Sequence, residues 1–142
     1  MATTMSISQA NQSISNFLLP LGSFPVHSER TFYKEALESM NKFHLGSVAI
    51  INDEGKLLGV LTDGDIRRTL LSIQQPLSAL FVDDIINRAT TNPISVKLTD
   101  DLFFAISIME KHSIWDLPVV NQENELTGLL HLHPIVKSLL IK

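Results

Sequence analysis

Cysteine is absent from the 142 residues, which excludes disulfides and thiolate metal centres and leaves no sign of an oxidising compartment. Charge is sparse. Asp, Glu, Lys and Arg make up 18% of the chain, the formal net charge is -4 and the pI is near 5.6. A nucleic-acid backbone is held by a basic stripe, and the few cations here are scattered, so no nucleic-acid partner is expected. Long apolar runs are missing as well. The longest, such as Val48 to Ile51, fall far short of the ~20 residues that span a bilayer, so no membrane partner is expected. The opening 1–16, rich in Ser, Gln and Asn, has neither a basic n-region nor an apolar h-region, and it reads as a flexible arm rather than a secretory signal. A soluble protein with a cytoplasmic location is the expectation. What the chain does have is 44% apolar residues, enough for one compact domain of ordinary size.

The chain also repeats itself. Met40 pairs with Met109, Gly59 with Gly128 and Ile66 with Ile135, all at an offset of 69 residues. The same offset pairs Ala36 with Ala105, Lys42 with Lys111, Asn52 with Asn121, Leu57 with Leu126 and Leu70 with Leu139. A single register kept through so many pairs marks a duplication, and a duplication changes the reading of every other motif.

Each half follows one grammar. Phe32, Ala36, Leu37, Met40 and Phe43 recur at helical spacing, and the apolar runs Val48 to Ile51 and Leu57 to Leu61 follow. The intervening Asn52-Asp53-Glu54-Gly55 is a tight turn, so these runs are expected to pair as an antiparallel hairpin. Ile66, Leu70 and Ile73 line a second helix. The second half has Leu102, Phe103, Ile106 and Met109 on a helix, a hairpin of Leu117 to Val120 and Leu126 to Leu130, and a last helix opened by Pro134. Short extended segments, Phe24-Pro25-Val26 and Pro93-Ile94-Ser95-Val96, precede the first helix of each half. Asp83-Asp84 and Asp100-Asp101 are expected to cap the elements they precede.

The expected fold is therefore mixed α/β (α+β), with two β-α-β-β-α repeats packed sheet to sheet about a pseudo-two-fold axis. A unit of about 60 residues leaves a sheet face it cannot cover alone, which is why two must pair. The arm would cover 1–16 and the pair 17–142, with repeat one about 22–74, a connector about 75–89 and repeat two about 90–142. Val82, Ile85 and Ile86 are the residues expected to anchor the connector.

The string Gly59-Val60-Leu61-Thr62-Asp63-Gly64-Asp65-Ile66-Arg67-Arg68, with Ile114-Trp115-Asp116-Leu117-Pro118-Val119-Val120 in the second half, resembles a tandem pair of CBS domains over about Phe24 to Leu140. Leu130-His131-Leu132-His133 after Thr127-Gly128-Leu129 is further similar to the C-terminal CBS pair of arabinose-5-phosphate isomerases and other sugar isomerases. Related pairs accompany sugar nucleotidyltransferases.

The resemblance implies a regulatory pair that binds a nucleotide between its halves. A nucleotide needs an acceptor for its ribose hydroxyls, a donor site for phosphate and an apolar slot for the base. Thr62 ends a strand and Asp65 sits in the first turn of the next helix, so the two are expected to face one crevice, where a carboxylate can accept from both hydroxyls. Gly64 lets a ligand approach the helix N-terminus, and Arg67 and Arg68 are cations within reach of a phosphate. Carried over from the family, the base lies beside Pro93, Ile94, Ile114 and Pro118. Asp116 stands where nucleotide-binding relatives are often basic, which disfavours a triphosphate. The second repeat has His131 and Pro134 in place of Thr62 and Asp65, so one site per chain is expected.

Other readings stand beside these. Thr62-x-x-Asp65 is also a serviceable capping box that binds nothing. His131 and His133 stand two apart, as half of a metal site on one strand face would, but no third ligand is evident and no metal is expected. Trp115 reads as a packing or dimer-contact residue. No general base, nucleophile pair or metal triad is recognisable, so no enzyme is expected.

The implied function is sensing of AMP, ADP, ATP or a cytidine nucleotide sugar, with no obligatory cofactor. A homodimer and a sugar-phosphate isomerase or nucleotidyltransferase partner are further implications of the resemblance. The alternative is a structural dimerisation module without ligand.

Overall fold

The 69-residue offset reappears as geometry in the computed structural model, which describes residues 13–140. A 3-10 turn, Ile14–Phe17, leads into β1 (Leu19–Pro20), β2 (Val26–Ser28), α1 (Tyr33–Phe43), β3 (Ser47–Ile51), β4 (Leu57–Thr62) and α2 (Asp63–Ser72). The connector holds α3 (Leu77–Phe81) and a second 3-10 turn, Ile85–Arg88. Then come β5 (Thr90–Thr91), β6 (Val96–Lys97), α4 (Leu102–His112), β7 (Asp116–Val120), β8 (Leu126–His131) and α5 (Leu132–Leu140).

The expected β-α-β-β-α unit is present twice, as β2-α1-β3-β4-α2 and β6-α4-β7-β8-α5. In each, the first strand pairs parallel to the second across the helix, and the second and third form an antiparallel hairpin. Both first helices end on a left-handed residue at the same repeat position, His44 at φ 55° and Ser113 at φ 53°. The hairpin tips bond to each other across the pseudo-two-fold: Leu57 N–H donates to the Asn124 carbonyl and Leu126 N–H to the Gly55 carbonyl, both at 3.0 Å.

Each sheet has one side against helices and one against the other sheet. Val48, Ile50 and Leu61 pack with Tyr33, Ala36 and Met40 in the first core, and Leu117, Val119 and Leu130 with Leu102, Ala105 and Met109 in the second. Between the sheets Phe24, Leu45, Ala49 and Leu57 meet Val120, Leu126 and Leu129. Strand periodicity of two explains the division, since Val48 and Ile50 point one way and Ala49 the other. Burying each Leu or Ile stabilises the fold by about 1.5–3 kcal/mol.

Two strands cross between the halves. Sheet order is β2-β3-β4-β5 in one layer and β1-β8-β7-β6 in the other, so β1, which precedes repeat one, completes the sheet of repeat two, and β5 does the reverse. The crossing explains the paired glycines. A Cβ on Gly59 would lie 2.7 Å from the Thr90 carbonyl oxygen, and one on Gly128 2.7 Å from that of Leu19.

Several expectations need correction. Within the proposed arm, Ser13 to Asn16 belong to the body, because Ile14 is fully buried in the second core; residues 1–12 lie outside the described part. Phe32 caps α1 rather than lying in it and is 46% exposed. Ile73 is likewise the C-cap of α2. The strand in 93–96 begins only at Val96. Helix α5 opens at Leu132, so Pro134 is third in its first turn, where its missing N–H is still harmless. His131 ends β8 while His133 lies in α5, so the two do not share a strand face. Leu80 and Ile85 are the buried connector anchors and the expected Ile86 packs against the same core, whereas Val82 is exposed. Asp101 caps α4 by accepting from Phe104 N–H, but Asp84 makes no cap bond, and Asp83 accepts from Asp84 N–H, Asn87 and Arg88 instead.

Candidate functional site

Three chain segments meet at one end of the two sheets: the β4–α2 junction, the stretch after β5, and the α4–β7 loop. Each is fixed by a local device. Thr62, extended at φ -116°, caps α2, its side chain accepting from Asp65 N–H. Asp65 reaches back to Thr62 N–H at 3.0 Å, which completes a capping box. Asn92, left-handed at φ 51°, turns the chain after β5 so that Pro93 and Ile94 face inward. Ser113, also left-handed, ends α4 and starts the loop that carries Ile114 and Trp115.

These segments enclose a cleft of about 610 Å³, within the range of small-molecule sites. Of the nine candidate residues, eight line it: Thr62, Gly64, Arg67 and Arg68 from repeat one, and Pro93, Ile94, Ile114 and Pro118 from repeat two. The cations Arg67 and Arg68 come from the second turn of α2, and the four apolar residues from the other two segments and from β7.

Asp65 is the exception. Instead of lining the cleft it is buried behind it, 7% exposed. Its Oδ2 accepts from the Thr62 amide and, at 3.1 Å, from the Thr62 hydroxyl. Its Oδ1 accepts from Arg68 Nη2 and from Thr90 Oγ1, each at 2.9 Å. The two layers differ sharply in exposure, the Arg68 side chain at 62% and the Asp65 side chain at 9%, so Arg68 covers the carboxylate from the solvent side.

Several lining residues that sequence reasoning did not assign to the site belong to repeat-related pairs. Gly46 and Trp115, Ser47 and Asp116, and Thr62 and His131 all line the cleft, and each pair is separated by the 69-residue offset. Ser47 Oγ donates to Asp116 Oδ2 at 2.9 Å, joining one repeat to the other, and Asp116 Oδ1 pairs with His131 Nδ1. The repeat carried the signal: once Thr62 is placed at a central cleft, its counterpart must lie across the axis. Trp115 lines the cleft and is 72% exposed, so it is not a packing residue of the core.

Fold and cleft together define a duplicated α+β module with a cavity between the halves. A family model of the CBS domain matches residues 23–72 and 82–140, and the chain belongs to the CBS domain family as a tandem pair. An uncharacterised protein of Helicobacter pylori (strain J99) is 36% identical over 121 residues, covering 84% of this chain but 35% of that protein. The chain thus spans about a third of that relative's length. Among solved structures, CBSX2 of Arabidopsis thaliana in complex with AMP is similar with a TM-score of 0.77 at 23% identity, covering 89% of this chain and 94% of that one. The CBS domain pair of protein MJ0100 in complex with 5'-methylthioadenosine and S-adenosyl-L-methionine has a TM-score of 0.75 at 20% identity, with the same coverage of 89% and 94%.

Proposed function

We propose that this pair is a regulatory nucleotide sensor, taking one adenosine nucleotide or nucleotide sugar in the cleft between its repeats. The observation that carries the reading is the convergence of Thr62, Gly64 and the two arginines with an apolar slot in one cavity of about 610 Å³. The ligands in the solved CBSX2 and MJ0100 pairs, AMP and adenosine derivatives, support an adenosine-bearing ligand over a cytidine sugar.

In this reading the base lies against Pro93, Ile94, Ile114 and Pro118. The ribose hydroxyls displace Arg68 and Thr90 from the Asp65 carboxylate, and the phosphate meets Arg67 and the amides that open α2. The ribose hydroxyls replace the hydrogen bonds that the buried carboxylate loses when the exposed Arg68 leaves, so the Asp65 oxygens stay satisfied. Binding would shift the packing of the two halves and so bias an attached or partner enzyme, which we take to act on a sugar phosphate or nucleotide sugar. A homodimer and a cytoplasmic setting complete the reading. Leu71 and Val82, 81% and 61% exposed on the α2–α3 side, are apolar surface that supports the dimer.

A second reading is favoured by one observation: both Asp65 oxygens are already engaged within the chain. On that reading Asp65 is a structural cap and the pair a dimerisation module. Trp115, the single tryptophan, lines the cleft and separates the two by fluorescence titration with AMP, ADP, ATP and a cytidine sugar nucleotide. The sensor reading predicts saturable quenching by an adenine nucleotide that Asp65→Ala abolishes. The structural reading predicts no response in either protein and a loss of about 1 kcal/mol of apo stability in the variant.

A further inference from the structure

At the pseudo-two-fold the cleft holds a chain of three side chains that the nucleotide reading leaves without a task. Ser47 Oγ donates to one Asp116 oxygen, and the other pairs with His131 Nδ1. The Asp116 side chain is 12% exposed and that of His131 is 27% exposed. Both carboxylate oxygens are therefore engaged, and Asp116 acts on a ligand chiefly through His131. With Nδ1 committed to Asp116, Nε2 is the remaining nitrogen of a ring that lines the cleft. A carboxylate at Nδ1 fixes the orientation of the ring, as second-layer carboxylates do for functional histidines generally.

We propose that His131 is the phosphate-binding group of the second repeat, and that the cleft selects a nucleoside 5'-monophosphate. The inference rests on the nucleotide reading of the cleft given above. His131 Nε2–H donates to a phosphate oxygen while Nδ1 stays on Asp116, and Arg67 meets the same phosphate from α2. The other charged and titratable groups lining the cleft are Asp63, Arg68, His112 and Asp116. Arg68, released from Asp65 when the ribose binds, joins Arg67 and His131 on one phosphate, and the Asp63 carboxylate that also lines the cleft opposes a longer phosphate chain. The ligand then bridges the repeats, because its ribose is held by repeat one and its phosphate by a residue of repeat two. Occupancy is thereby coupled to the Ser47–Asp116 contact between the halves.

Isothermal titration of the full chain with AMP, adenosine and ATP tests this. The wild type is expected to bind AMP more tightly than either adenosine or ATP. His131→Thr places in repeat two the residue that repeat one has at that position. It is expected to weaken AMP by roughly tenfold, the scale of one charge-assisted hydrogen bond, and to leave adenosine unchanged. Asp116→Asn is expected to act in the same direction. Should His131→Thr fail to give a cooperative melt, His131→Gln carries the same criterion. An equal loss for AMP and adenosine, no loss for AMP, or wild-type preference for ATP overturns the assignment. A wild type that binds none of the three overturns the nucleotide reading itself, a distinguishable result.

Discussion

At Gly59 and Gly128 the backbone of a strand from the other half of the chain lies where a side chain would begin. A Cβ on Gly59 meets the Thr90 carbonyl at 2.7 Å, a backbone atom that cannot rotate away. Gly59→Ala is therefore expected to displace β5 and cost about 1–3 kcal/mol, the scale of overpacking, as read by urea denaturation. Thr90 also donates to Asp65, so the same substitution disturbs the site's carboxylate, whereas Gly55→Ala at a hairpin tip meets no atom within 4 Å and is strained only through its φ of 80°. The pairing of the two glycines was legible as a repeat. Its cause was not, because the atom that excludes a Cβ belongs to a residue 31 positions away from Gly59 (90 − 59). Asp65 teaches the same lesson: the string Thr62-x-x-Asp65 places both residues at a helix start, but it does not reveal that Thr90 and Arg68 occupy the carboxylate.

Among elements, the strands and first helices were the most legible, since apolar spacing and turn residues act within a few positions of one another. Boundaries were less so. Phe32 fits the helical spacing, but Tyr33 N–H bonds to the Asp83 carbonyl, and Phe32 forms an isolated bridge with Asp84, so the connector draws it out of α1. The packing of α1 on β2 carries a pH dependence. His27 Nε2 and Ser39 Oγ lie 2.6 Å apart, and burial lowers the His27 pKa below its usual value, with Glu35 opposing. The unfolded chain then takes up a proton more readily than the folded one. The stability contributed by His27 is full above about pH 6.5 and is lost as pH falls through the depressed folded value. Thermal melts between pH 7.5 and 5 on the order of half a unit apart are expected to fall with acid in the wild type and to flatten in part in His27→Gln.

The whole molecule is held together by exchange between its halves. Ile14 lies in the core of repeat two and Ile85 in that of repeat one, beside the crossing strands β1 and β5. Ile14→Ala is expected to cost about 2–5 kcal/mol, as for a fully buried aliphatic side chain, and to lower the melting temperature of the entire chain in one transition. Two separate transitions would show that the halves fold independently. Duplication, the β-α-β-β-α order of each half and the hairpins were determined by the sequence alone, because periodicity and turn chemistry are local and a repeat is visible as identity. Only the tertiary structure decided that β1 and β5 change sheets, that Asp65 lies behind the cleft wall, and that Ser47, Asp116 and His131 join across the axis. These depend on contacts between residues far apart in the chain, whose partners are chosen when the two sheets close on a shared core.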